Sequence, residues 1–164
     1  MPAMRPIRFW RDEEGVTLVE TAISCTVLFA MLFGICQMSL AMYVYHFTSD
    51  AARQATRYAI VRGSTSCTNT PNLSNCDATT IQITSYVQGL GYPGITSSKV
   101  TAATSWYTAS STTPTTWSVC SNGICNAPGN LVKIVVSYPM TFQIPFSSNL
   151  SLNLSSTSQM VISQ

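Results

Sequence analysis

The chain has 164 residues, of which only 9% are charged, with eight Lys and Arg set against six Asp and Glu. That balance leaves no basic surface large enough for nucleic acid, and the length allows one membrane helix and one modest domain.

Residues 1–15 form a polar leader. Arg5, Arg8 and Arg11 are offset by Asp12, Glu13 and Glu14, and Pro2 and Pro6 discourage an early helix. Gly15 closes this leader, and between residues 16 and 45 Glu20 is the only formal charge.

Residues 22–45 alone would extend about 36 Å, enough to cross a bilayer core of about 30 Å with some tilt. A buried helix of a soluble protein seldom runs this far without a charge. A cleavable secretory signal has a shorter apolar core and a small-x-small end. This run ends in Met42-Tyr43-Val44-Tyr45, which suits an interfacial aromatic girdle. Arginines flank the span on both sides, Arg5, Arg8 and Arg11 before it and Arg53, Arg57 and Arg62 after it, so they set its orientation only weakly. The far side breaks the tie.

Residues 46–63 continue the helix with alanine and arginine, good helix formers. Phe47, Ala51, Ala55, Tyr58 and Val61 recur at three- and four-residue steps, with Ala59 and Arg62 on the next row. Gly63 is the expected C-cap. One helix of about 70 Å results. Arg53, Arg57 and Arg62 lie about one turn apart, able to meet acidic headgroups or a partner, with a solvated face as the plain alternative.

Residues 64–164 carry only Asp77, Lys99 and Lys133 as charges and four of the six cysteines. Cys67–Cys76 and Cys120–Cys125 are the short-range pairs, although four cysteines permit three pairings. Such bonds favour an oxidising compartment outside the cytoplasm. Neither spacing is CxxC-like and no histidine accompanies them, which argues against structural zinc. Cys25 and Cys36 are too far apart along one helix to bond each other and read as small apolar residues.

Asp77 could cap a helix running to Leu90, with Ile81, Thr84, Val87 and Leu90 on one side, yet the same residues also alternate as a strand. Residues 99–107 read as a strand, and 108–130 as a long Ser/Thr/Pro/Gly loop that holds Trp117. Trp106, Tyr107 and Trp117 are either a small exposed aromatic patch or ordinary packing. Residues 131–144 carry the clearest strand pattern, with Val132, Ile134, Val136 and Tyr138 on one face and Pro139 marking a bulge or edge. A last strand fits 151–163. An antiparallel sheet of three or four strands would then cover the outer helix, making an α+β fold.

No catalytic arrangement emerges. His46 is the single histidine and sits among aromatics at the end of the span, Asp77 is the one outer acid, and no phosphate loop, metal set or cofactor motif is present.

A charged leader, Gly15, four uncharged residues, Glu20 and an apolar span resemble the processing site of type IV prepilins. The match narrows at G-V-T-L-V-E-T-A, F-G-I-C-Q-M-S-L-A-M-Y-V-Y and D-A-A-R-Q-A-T-R-Y-A, which look like the N-terminal block of the TadE-like family, pseudopilins of the tight-adherence pilus machinery. V-K-I-V-V-S-Y-P-M-T-F and S-S-T-S-Q-M near the C-terminus also look familial, while 64–130 is not diagnostic. Thr21 stands where the family usually has an aromatic residue.

The resemblance implies a pilin-like fold with leader 1–15, membrane helix 16–45, outer helix 46–63 and an extracytoplasmic domain 64–164. It implies cleavage between Gly15 and Val16 by a prepilin peptidase, with methylation among the expected modifications. Glu20 would then pair with the freed Val16 amine, within one helix or between neighbours, and Gly34 would interrupt the membrane helix. Expected partners are major and minor pilins, the inner-membrane assembly platform and the lipid bilayer. The expected place is the bacterial inner membrane, with the N-terminus cytoplasmic. The rival reading is a membrane-tethered binding or adhesion module that displays the 108–130 loop and Trp117.

Overall fold

The computed structural model describes residues 13–110, 116–121, 123–142 and 150–163. The leader up to Asp12, part of the 108–130 loop and the end of 131–144 lie outside them. The chain divides into two compact units, one ending at Ser39 and the other spanning Leu40–Gln164.

Helix α1 covers Glu13–Ile60, 48 residues. In the first unit its apolar side chains point outward all round: Leu18, Ile23, Phe29 and Phe33 are each more than half exposed. Three hydroxyls there are satisfied within the helix, Thr21 and Thr26 donating to the carbonyls of Thr17 and Ala22, and Ser39 to that of Ile35. A span whose polar groups bond internally is compatible with hydrocarbon.

In the second unit α1 becomes one-sided. Val44, Phe47, Thr48, Ala51, Ala52, Ala55, Thr56 and Ala59 are buried, at the three- and four-residue steps of a core stripe. Phe47, Ala51, Ala55 and Ala59 are buried as expected, but the stripe is rotated to take in Ala52 and Thr56, while Tyr58 is half-buried and Val61 is exposed. Buried Thr56 bonds its hydroxyl to the Ala52 carbonyl at 2.8 Å, so no polar cost is left there. The helix stops at Ile60, and Gly63 lacks the left-handed conformation of a glycine cap. Its role is corrected: Arg62 N–H bonds back to Ala59 C=O and Ser66 N–H to Gly63 C=O, a turn rather than a cap.

Short helix α2 (Ser66–Asn69) leads to α3 (Thr80–Gln88). The 78–90 ambiguity resolves as helix, and the cap is Thr79, not Asp77. Thr79 and Gln82 form a reciprocal capping box, which ties up two end donors that Asp77 cannot reach at that spacing. The buried face is Ile83 and Val87, with Tyr86 and Leu90 packed beside it, while Ile81 is 79% exposed.

Four strands form one antiparallel sheet in the order β2-β1-β3-β4: β1 Thr101–Ala109, β2 Trp117–Val119, β3 Leu131–Phe142 and β4 Leu150–Val161. Central β3 alternates strictly, with Val132, Ile134, Val136, Tyr138 and Met140 buried. They share one core with α1 and α3, so the long helix packs on a small antiparallel sheet as in pilins. Pro139 makes no bulge, since it pairs in register with Asn153. It stands beyond Ser137, the last residue paired to β1, where β3 has a neighbour on one flank only.

Strand β2 corrects the expectation of a continuous loop over 108–130. Its register also separates the aromatics. Trp106 pairs with core-facing Val132, whereas Tyr107 and Trp117 lie on the opposite face, so the three do not make one patch.

Candidate functional site

Gly15 and Val16 lie in the first turn of the described part of α1. A Cβ added at Gly15 would meet nothing within 4 Å. Glu20 is exposed one turn further on, about 6 Å of rise from Val16.

Gly34 sits mid-helix, and a Cβ there would also meet nothing within 4 Å. Glycine in a helix interior costs about 1 kcal/mol relative to alanine. The isolated chain supplies no steric reason for that cost. Cys25 and Cys36 are free thiols, both exposed. Gly15–Ile60 contains a stretch long and apolar enough to cross a membrane, with none of that stretch buried inside the protein.

The three arginines of the outer helix do not act alike. Arg53 and Arg57 are exposed, on the side of α1 away from the core. Arg62 is spent inside the fold. Its guanidinium lies 3.9 Å from the Tyr58 ring centre, Tyr58 stacks on Tyr86 at 4.3 Å, and Arg62 Nε reaches the Ser74 carbonyl at 3.4 Å. A half-buried cation with one face on an aromatic ring and one N–H on a backbone carbonyl is a packing element of the C-terminal unit.

Disulfides join Cys67 to Cys76, with Cα atoms 4.9 Å apart, and Cys120 to Cys125, at 5.7 Å. Trp117 is 36% exposed on edge strand β2, opposite Ala109.

A feature that sequence reasoning missed is the polar clamp on the outer helix. Tyr92 donates its hydroxyl to Asp50, and Gln54 Nε2 donates to both Asp50 at 2.7 Å and the Tyr92 oxygen at 3.2 Å. The bonds from Tyr92 and Gln54 hold the Asp50 carboxyl below its ordinary value, and the bond to Asp50 pushes the Tyr92 phenol above its own. The i, i+4 spacing of Asp50 and Gln54 was visible in the sequence, but Tyr92 comes from a distant loop. Among the described residues no three of His, Cys, Asp and Glu gather as metal ligands would.

The family model of TadE-like protein matches residues 15–57. No curated protein and no solved structure matches the chain. The matched segment begins at Gly15, runs through Glu20 and Gly34, and ends at Arg57. The chain therefore carries a TadE-like domain in its N-terminal helix, followed by a body of pilin-like α+β architecture.

Proposed function

We propose that the protein is a structural, non-catalytic minor pilin or pseudopilin that assembles through α1 into a type IV, tight-adherence pilus or a related secretion filament, or primes or caps one. The single observation behind this reading is the coincidence of the TadE-like segment with a helix whose apolar side chains up to Leu40 have no cover of their own. In this reading residues 1–15 are a leader removed by a prepilin peptidase, 16–45 span the bacterial inner membrane, 46–63 continue outside, and 64–164 form an extracytoplasmic domain.

Val16 then starts the mature chain with a cationic amine. Glu20 of the same or a neighbouring helix neutralises it, which offsets the cost of holding either charge beside hydrocarbon. Gly34 lets a neighbouring pilin helix approach closely. Arg53 and Arg57, exposed on the outer helix, are available to acidic headgroups or the assembly platform.

The experiment is Glu20→Ala in the native host. Processing and insertion should persist, while crosslinking to other pilins through the membrane helix is lost. Full crosslinking and piliation in that variant would sink the mechanism. It would favour the tether reading, in which substitutions in 108–130 or at Trp117 abolish surface binding instead.

A further inference from the structure

The C-terminal unit contains a cleft of about 300 Å³ that no residue of α1 lines. Asp77, Thr79 and Thr80 line it from the start of α3, Cys125 and Asn126 from the turn before β3, and Trp106 from β1. Its volume is at the lower end of ligand pockets, room for a single ring.

Both walls are fastened to the same short segment after α1. Ala78 N–H bonds to Arg62 C=O at 2.9 Å, and Ser64 N–H bonds to Asn126 C=O at 3.0 Å. The 120–125 disulfide closes one wall, and Asn130 Nδ2 supports it through the Cys125 carbonyl at 3.0 Å. The capping box at Thr79 fixes the other. The Trp106 carbonyl accepts from Cys120 N–H at 2.9 Å, which ties the indole-bearing strand to the same disulfide. A cleft held this way loses little freedom on binding.

Its chemistry is specific. Asn126 donates its amide to Asp77, which fixes a carboxylate and an amide oxygen side by side. Each retains acceptor capacity after that bond, and Thr80 adds a hydroxyl. Trp106 is half-buried against the core and also lines the cleft. Adjacent acceptors suit the vicinal hydroxyls of a sugar, and an indole suits the apolar C–H face of a pyranose. Asp77 is the one formal charge in the lining, so a sugar acid or phosphate would be repelled.

We propose that this cleft binds one ring of a neutral saccharide, a hexose or an N-acetylhexosamine. The inference stands apart from the assembly reading, and failure of processing or crosslinking leaves it untouched.

The full chain in phospholipid nanodiscs, which carry no sugar headgroups, is titrated with glucose, N-acetylglucosamine and glucuronate, and binding is read by saturation-transfer NMR. A neutral sugar should saturate with a dissociation constant of about 1 mM, and glucuronate should bind about tenfold more weakly. Asn126→Ala removes the partner that orients Asp77 and should weaken the neutral sugar about tenfold. Thr80→Trp fills the cleft from an exposed position without touching the core, and it should abolish binding with an unchanged thermal melt. No saturable binding of either neutral sugar, tighter binding of glucuronate, or undiminished binding in Thr80→Trp would each overturn the proposal.

Discussion

Tyr92 reaches back 42 positions to donate its hydroxyl to Asp50, and Gln54 bonds to both ends of that contact. The same ring meets Phe47 edge-on, 4.8 Å between centres. One loop side chain thus fixes the 89–95 segment to α1 through a charged hydrogen bond and an aromatic contact.

The clamp carries a pH signature. Asp50 has its carboxyl lowered, chiefly by the Tyr92 bond and next by Gln54, so its stabilisation is present above the unfolded carboxyl value and is lost as pH falls through the folded one. Tyr92 has its phenol raised, chiefly by Asp50, so its share is present below the ordinary phenol value and is lost as pH rises through the folded one. Tyr92→Phe keeps the ring on Phe47 and removes the donor. Both groups are largely solvated, so the loss should be about 0.5–1 kcal/mol near neutral pH. Denaturant unfolding of the full chain at neutral pH and at a pH below the depressed Asp50 value should show that loss shrinking as the carboxylate takes up its proton. An equal loss at both pH values would show that the clamp does not depend on the Asp50 charge.

Ala51, Ala55 and Ala59 are fully buried where α1 joins the core of Val132, Ile134 and Val136. Their small size is what lets helix and sheet approach. Ala55→Leu should overpack that interface and cost about 1–3 kcal/mol. Arg53→Leu, two positions away on the exposed side, should stay within about 0.5 kcal/mol. Thermal melts of the two variants separate a packing limit from a general intolerance of large residues on α1.

Removing the Cys67–Cys76 bond with paired serines should cost about 2–3 kcal/mol, since it closes a short polar segment that has little core of its own. The Cys120–Cys125 loop is shorter and should contribute less. Melting each paired-serine variant against the wild type gives both numbers, and melting the wild type with and without reductant gives their combined effect. A reductant-insensitive melting temperature would mean that neither bond limits unfolding.

Gly34→Ala offers a direct contrast between chain and assembly. The added methyl meets open space, so the isolated helix should be no less stable. Crosslinking through the membrane helix should fall, because a close-packed neighbour would meet the methyl first. Unchanged crosslinking would remove Gly34 from the interface.

Gly15→Ala tests processing separately. Intact mass of the wild-type protein from its native host should lack residues 1–15, and the variant should keep them while still inserting in the membrane. A wild-type mass that includes the leader would favour a plain anchor.

Much of this molecule is written in local pattern. An uncharged run longer than a bilayer core specifies a membrane-competent helix wherever it occurs, and the two-residue alternation of β3 names its buried face without reference to any neighbour. The TadE-like block is equally local, a string of residues at set spacing. Other features depended on contacts across the chain. Alanine and threonine give little hydrophobic contrast, so the rotation of the α1 stripe toward Ala52 and Thr56 was not legible in the helix and was set by its place in the shared core. On α3, periodicity offered both Ile81 and Ile83, and the position of β1 chose Ile83. Trp117 entered a strand because β1 offered an open edge, and three cysteine pairings became one when the backbone brought two Cα pairs within 6 Å. Asp50 and Tyr92 met for the same reason: hydrogen bonds between distant residues depend on where folding places the chain, not on which residues stand beside them.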